Sequence, residues 1–350
     1  MKGVQLTGHG GLERLVWSEA IPVPQPGPGE VLVQVLAAGV NNTDINTRLG
    51  WYAREVTVAT DAVPQDGSIR AGGWRGELRF PLIQGGDLCG RVVALGPGVN
   101  GLRVGMRVTC PINMPMPLPD APTRFLSLGS EFDGAFAQFC KLPADQVHDV
   151  SASPLSDVEI AAMPCGHGTA LNLLSRAGVG AGDKVLVTGA SGGVGLAAVQ
   201  LAAQCGADVT GVAAVGKHPT VRAAGAAAVV DRDDPLPTRS FDAVIDVVAG
   251  DAFDRILASI RPGGRYAVAG AIAGPVVAAD LRRVYLHDLT LYGCTYTPRP
   301  VFERLVAMIN AGQLRPFVSM TYPLRDIALA QTAFVEKRYP GKLVLIPPQD

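Results

Sequence analysis

The residues best placed to do chemistry form one run, Lys184-Val-Leu-Val-Thr-Gly-Ala-Ser-Gly-Gly-Val-Gly195, continued by Leu-Ala-Ala-Val-Gln-Leu-Ala-Ala203. Lys184 to Thr188 is short, apolar and β-branched, and Val194 to Ala203 is made of helix formers, so the glycines fall between a strand and a helix. Aligned on Gly192 and Gly195, the turn is a dinucleotide fingerprint with Ala190 in place of its first glycine. Ser191, Gly192, Gly193 and Val194 stand where backbone N–H groups at a helix start face a pyrophosphate, and Gly195 stands where strand and helix must pack closely. A bound dinucleotide is the expectation. An NAD site usually adds a carboxylate about twenty residues beyond the glycines to take the ribose hydroxyls. Here Ala213 occupies that place and Lys217 follows, with His218 and Arg222 close behind. Without the carboxylate a 2′-phosphate meets no repulsion, and a cation can pair with it. These residues point to NADPH with Lys217 as the first candidate, although a lysine at a strand end is equally at home in solvent.

Metal chemistry has less support. The six cysteines, Cys89, Cys110, Cys140, Cys165, Cys205 and Cys294, include no C-x-x-C pair, which fits buried thiols in a reducing compartment better than a disulfide or zinc-finger framework. Asp87, Cys89 and His167 come nearest to a ligand set, but closeness in sequence supplies no tetrahedral geometry. No metal is expected.

The elements that must position these residues follow from length and pattern. A chain of 350 residues exceeds one typical core and predicts two domains. A net charge of −1 gives nucleic acid or an anionic membrane no global attraction. No apolar run reaches membrane length, and none lies behind Lys2 as in a secretory signal, so a soluble, cytoplasmic protein acting on a small molecule is expected. Lys2 to Leu6, Glu30 to Ala37, Arg91 to Leu95, Arg107 to Cys110 and Phe136 to Leu142 read as short strands, and the prolines between Ile21 and Glu30 forbid regular structure there. They predict an antiparallel β domain. From Ser156 one helical stretch leads to Pro164-Cys-Gly-His-Gly-Thr169 and a second runs to Arg176. Beyond Val185 strands and helices alternate as far as Tyr292, which predicts a parallel sheet wrapped by helices. A helix at Val301 to Ala311 and a strand at Lys342 to Ile346 close the chain.

Together the motifs resemble a known superfamily. They are Pro26-x-x-Gly29-Glu30-Val31-Leu32-Val33, Ala37-Ala-Gly-Val-Asn41-Asn-Thr-Asp44, Gly85-Gly86-Asp87-x-x-Gly90, Gly105-x-Arg107-Val108, the glycine turn and Arg261-Pro-Gly-Gly-Arg265. In order and spacing they resemble the medium-chain dehydrogenase/reductase superfamily over most of the chain. The resemblance implies an α/β fold: a GroES-like catalytic β domain over residues 1–160, a Rossmann NADP-binding domain with a doubly wound parallel sheet over 161–296, and a return to the first domain over 297–350. It places the active site in the cleft between them. It also implies a homodimer, consistent with an edge strand at Leu289 to Gly293 that a second copy could extend.

Zinc alcohol dehydrogenases of that superfamily carry Cys where this chain has Asn41, His-Glu where it has Gly86-Asp87, and often Cys where it has Cys165. Only the third matches. The closely spaced cysteines of their structural-zinc lobe are also missing, since Cys110 is followed by Pro-Ile-Asn-Met-Pro-Met-Pro. The chain therefore resembles the zinc-independent branch of quinone oxidoreductases and enoyl-thioester reductases. That implies hydride transfer from NADPH to a quinone or an α,β-unsaturated carbonyl, and the sequence does not choose among a quinone, an enone and an enoyl thioester. A zinc-type alcohol dehydrogenase, and a nonenzymatic NADPH-binding role like that of the lens crystallins of this branch, are the alternatives.

By the same resemblance Thr169, Gly193, Val194, Gly270 and Cys294 align with positions along the pyrophosphate or nicotinamide. Asn41 to Asn46 followed by Gly50-Trp51-Tyr52 is similar to the enoyl-thioester reductase segment whose tyrosine donates a proton. Tyr52 is the candidate donor, because a phenol keeps its proton at neutral pH; a tyrosine that only lines the cleft is the competing reading. Asn41 could donate its amide N–H groups to a substrate or ribose oxygen, and Asp44 is structural by analogy. Between Tyr52 and Pro81 the chain departs from the family with a long segment containing Pro64-Gln-Asp-Gly67 and Ala71-Gly-Gly-Trp74. Such a segment reads as a binding loop over the site or as a peripheral one.

Overall fold

Alternation along EVLVQVLAAG makes Glu30–Gly39 the spine of the first unit, with Val31, Val33 and Val35 fully buried on one face. This strand pairs antiparallel with Cys89–Leu95, with Phe139–Pro143 and, at its far end, with Lys342–Ile346. The resulting seven-stranded sheet adds Val318–Pro323 at one end and Arg107–Thr109 and His148–Asp149 at the other. Val92, Val108, Phe136 and Leu142 complete its core. The computed structural model describes every residue except Arg75. It divides into two units: Met1–Val56 with Val63–Cys165 and Tyr296–Asp350, and Thr57–Ala62 with Gly166–Thr295. Among the described residues no helix is long and apolar enough to cross a membrane.

The second unit is built on strands whose residues are buried on both faces. Val185, Leu186, Ala243, Val244 and Ile245 are 0 or 1% exposed, as in a parallel sheet covered by helices. Its six strands run Ala228–Val230, Asp208–Val212, Lys184–Val187, Phe241–Asp246, Ile260–Val268, Thr290–Gly293 across the sheet, every pair parallel. In chain order that is 3-2-1-4-5-6, the doubly wound arrangement whose strand order reverses between the first strand and the fourth. The switch point falls at the ends of Lys184–Val187 and Phe241–Asp246.

The two helical stretches expected after Ser156 are present as Asp157–Ala161, capped by Ser156, and Pro164–Arg176; the second includes Pro164 itself, because proline is tolerated at a first helical position where its missing N–H is not needed. Several local expectations are corrected. The strand expected at Phe136 to Leu142 is Phe139–Pro143; Phe136 instead accepts from Val4 N–H through its carbonyl at 2.9 Å. A helix at Asn42–Leu49 had no signal, since Asn, Thr and Asp are poor helix-interior residues. Burial of Ile45 and Leu49 against Val63 overrides that propensity. Residues Thr57–Ala62 group with the second unit, where Thr60 N–H donates to the Ile272 carbonyl at 3.1 Å.

Candidate active site

The dinucleotide turn is assembled where the sheet reverses. Gly189 has φ +55°, and a Cβ on Gly195 would lie 2.2 Å from the Gly189 carbonyl oxygen, so the helix Gly193–Gln204 sits on the turn only because residue 195 is glycine. Beside it Asp246 is fully buried and takes four donors: Thr188 Oγ1 at 2.5 Å, Tyr266 Oη at 2.5 Å, Val248 N–H at 2.8 Å and Ala249 N–H at 3.1 Å. One carboxylate thus ties the end of the first strand to the loop after the fourth. Gly270 follows the next strand, and a Cβ there would meet the Val247 carbonyl at 3.1 Å. Cys294, 4% exposed, follows the last strand, with its N–H on the Val268 carbonyl at 2.9 Å; burial pushes its thiol pKa up. Thr169 lies on Pro164–Arg176, and a Cβ on Gly166 of that helix would lie 3.4 Å from the Gly193 carbonyl oxygen.

The adenosine end carries more positive charge than the sequence disclosed. Lys217 is half-buried after the strand Asp208–Val212, and its pKa is lowered first by burial and then by Arg232. Arg232 comes from beyond the neighbouring strand Ala228–Val230, so nothing in local spacing links it to Lys217. His218 spends Nε2 on the Ala213 carbonyl at 2.9 Å, and Arg222 lies on the short helix His218–Ala223. Ala213 itself carries no carboxylate, and Lys217 and Arg232 share its neighbourhood with Asp231, whose Oδ2 accepts from Val215 N–H at 3.0 Å; two cations against that carboxylate leave positive charge for a 2′-phosphate.

In the first unit the sequence candidates converge with a residue that sequence reading missed. Lys342, 3% exposed, donates from Nζ to Asn41 Oδ1 at 2.6 Å, Asp87 Oδ2 at 2.8 Å and the Val40 carbonyl at 3.0 Å. Asp87, 0% exposed, also accepts from Asn41 Nδ2 at 2.9 Å and from Cys165 N–H at 2.6 Å. Each polar atom of the Asn41 side chain is therefore held inside the protein, with a long second contact from Nδ2 to Gly39 O at 3.5 Å. Asn41 N–H donates to Asp44 Oδ2 at 2.8 Å and so begins the helix Asn42–Leu49. Burial pushes the Asp44 pKa up to about 7, with Asp87 adding repulsion and Lys342 working against the rise. Among the described residues no three His, Cys, Asp or Glu side chains come close enough to hold a metal ion.

Tyr52 is half-buried just beyond the Gly50 cap of that helix. Burial pushes its pKa up to about 12, against which the side chains of Thr43, Asn46 and Trp74 act. Its ring is flanked by Trp51 at 5.5 Å and Trp74 at 5.1 Å, and Trp74 in turn meets Phe125 at 5.5 Å. The long segment after Tyr52 therefore returns to it. Asn41 and Tyr52 lie in one unit, and Thr169, Ser191, Gly192, Gly193, Val194, Lys217, Gly270 and Cys294 in the other.

Comparison with known proteins agrees with this architecture. Residues 27–152 match the alcohol dehydrogenase GroES-like domain, and residues 193–311 match the zinc-binding dehydrogenase family. A crystal structure from Sinorhizobium meliloti 1021, described provisionally as an alcohol dehydrogenase, is 42% identical with a TM-score of 0.89, covering 99% of this chain and 97% of that one. The chain belongs to the medium-chain dehydrogenase/reductase superfamily. Within it, the acryloyl-coenzyme A reductase of Metallosphaera sedula is 27% identical over 99% of both chains, and the quinone oxidoreductase of Lama guanicoe is 28% identical over 99% of this chain and 97% of its own. An oxidoreductase acting on a small molecule is the common ground of these relatives.

Proposed function

We propose that the protein is an NADPH-dependent reductase that delivers hydride to a quinone or an α,β-unsaturated carbonyl compound without a metal ion. The observation that carries the reading is Tyr52, a half-buried phenol set beside Trp51 and Trp74 in the first unit, a group that holds its proton at neutral pH. NADPH, when bound, supplies the hydride. Residues of the chain would do the rest: Ser191, Gly193 and Val194 would offer backbone N–H groups to the pyrophosphate, the Gly192 N–H being spent on the Gly189 carbonyl at 2.9 Å, Lys217 and Arg232 would pair with the 2′-phosphate, and Tyr52 would give a proton to the enolate that hydride addition leaves. The donor set around Asp87 does not fit zinc, because an ammonium already holds the carboxylate and neither a thiolate nor an imidazole stands at positions 41 and 86. Asn41, pinned by Lys342 and Asp87, acts here as a wall-positioning residue.

A second copy fits the edge strand Thr290–Gly293. Leu291 is 43% exposed there, with Leu281, Tyr285 and Leu286 exposed close by in sequence, an apolar edge of the kind that another strand or subunit covers. Light scattering that gives a monomer mass at micromolar concentration would remove the dimer from the reading.

Turnover of NADPH with an enone and a quinone panel tests the activity, and Tyr52→Phe tests the proton route. Loss of a positioned acid typically lowers the chemical step about 10²–10⁴-fold, so the variant should lose enone turnover and keep its NADPH affinity. Enone reduction at the wild-type rate would return Tyr52 to the role of pocket wall. One zinc per chain by elemental analysis would overturn the metal-free step.

A further inference from the structure

The segment between Tyr52 and Pro81 is shaped to bring one side chain back to the phenol. Trp74 rides on a tight turn closed by Gly73 N–H to Gly76 O at 2.8 Å and Gly76 N–H to Gly73 O at 3.2 Å. The turn is clamped against the backbone that carries Tyr52, since a Cβ on Gly72 would lie 2.2 Å from the Gly50 Cα. Gly50 itself has φ +75° and hands the chain directly to Trp51 and Tyr52. The indole meets two rings edge to face, Tyr52 at an interplanar angle of 64° and Phe125 at 80°.

The indole N–H is the unusual group. It is buried, and among the described residues no atom accepts from it in good hydrogen-bond geometry; its polar neighbour is the Tyr52 hydroxyl. A buried donor left unpaired is unfavourable. It finds a full partner, however, if the neighbouring oxygen becomes an anion, because a hydrogen bond to a charged acceptor is roughly twice as strong as a neutral one.

We propose that Trp74 is a positioning residue for proton delivery: its N–H receives the charge left on the Tyr52 oxygen when the phenol gives up its proton. In the step the Tyr52 O–H bond breaks, a C–H bond forms at the enolate carbon, and the electron pair stays on the phenol oxygen until water returns a proton. The reductant is the hydride of NADPH, already spent on the other carbon of the double bond. The inference rests on the reading of Tyr52 as donor. On this reading the segment that departs from the family serves to present the indole N–H to the phenol.

The test is Trp74→Phe, which keeps a ring against Tyr52 and Phe125 and deletes the N–H, compared with Trp74→His, which keeps a ring N–H. Steady-state reduction of an enone in H₂O and D₂O, NADPH titration calorimetry, and the same substitution in a Tyr52→Phe background are measured together. Removing a donor that bonds a reacting oxyanion directly costs about 10²–10³ in kcat; acting through the phenol, Trp74→Phe should lower enone kcat about tenfold. The solvent isotope effect should rise, NADPH affinity should hold, and Trp74→His should recover part of the loss. In the Tyr52→Phe background the substitution should do nothing further. If Tyr52→Phe lowers enone turnover and Trp74→Phe does not, the inference fails and the donor reading survives. Should Tyr52→Phe itself leave turnover unchanged, both fail. A loss with an unchanged isotope effect, or one that persists in the Tyr52→Phe background, would make Trp74 a structural ring and would also overturn the inference.

Discussion

Lys342→Met removes the cation that holds a carboxylate with no access to water, and its effect can be worked from the geometry. The ammonium lies 2.8 Å from Asp87 Oδ2, a separation at which opposite charges attract by roughly 6 kcal/mol for an effective dielectric near 20. Desolvation of both groups offsets much of that in the intact protein, so the pair as a whole stabilises little. Breaking it is different. Asp87 is 0% exposed and would keep Asn41 Nδ2 and Cys165 N–H as its donors, and stranding one partner of a buried pair costs about 3–5 kcal/mol. The assay is urea unfolding followed by tryptophan fluorescence. All three tryptophans, Trp17, Trp51 and Trp74, belong to the first unit, so the signal reports the unit that holds the pair. Lys342→Met should lower its stability by about 3–5 kcal/mol at unchanged m, and Asp87→Asn should fall in the same range. Because each single change exposes the same broken contact, the double variant should lose less than the sum by about 2 kcal/mol or more. A single-variant loss under about 1 kcal/mol, or additive losses, would refute the claim that the ammonium and the carboxylate sustain each other.

Two further outcomes follow from neighbouring groups. Asp44 is 4% exposed and its carboxyl titrates near 7 folded against 3.8 as an ordinary value, so it favours the folded state most below pH 4 and that contribution fades as pH rises through 7. Relative to Asp44→Asn, wild type should therefore lose on the order of 4 kcal/mol between pH 4 and pH 8, and a constant gap in urea unfolding at the two ends would contradict this. At the adenosine end, Lys217→Ala and Arg232→Ala should each weaken NADPH binding about tenfold or more while leaving NADH binding close to wild type, as loss of one charge-assisted bond implies. Equal affinities for the two cofactors in the wild-type protein, read by calorimetry, would sink the 2′-phosphate assignment.

What was legible in the sequence was what local chemistry encodes. The strand Lys184–Val187, the glycine turn and the helix Gly193–Gln204 could be read because apolar runs, β-branching and the need for glycine at 195 all lie within a few residues of one another. Asn41 and Asp44 were not legible as a helix start, because Asp44 takes the Asn41 N–H locally while the Asn41 side chain is spent on Asp87 and Lys342, far off in sequence. Arg232, Trp74 and Lys342 were not legible as partners of Lys217, Tyr52 and Asp87. Arg232 reaches Lys217 only because their strands are neighbours in the parallel sheet, and Trp74 reaches Tyr52 only because Gly72 lets two backbones touch.

Lys342 shows how such a contact is encoded without being visible. It opens a strand, KLVLI, that reads as an apolar strand with one charged residue at its edge, and a lysine at a strand start is normally solvated. The register decides otherwise: Leu345 lies opposite Ala38 and Val344 opposite Gly39, so two rungs further on Lys342 falls opposite Asn41, across 301 residues of sequence. Side chains alternate strictly along a strand, and a slip of one residue would carry the ammonium to the other face. The same slip would strand Asp87 and release the Asn41 amide. Through this one register the final strand, far from any motif, holds the wall from which the helix to Tyr52 departs.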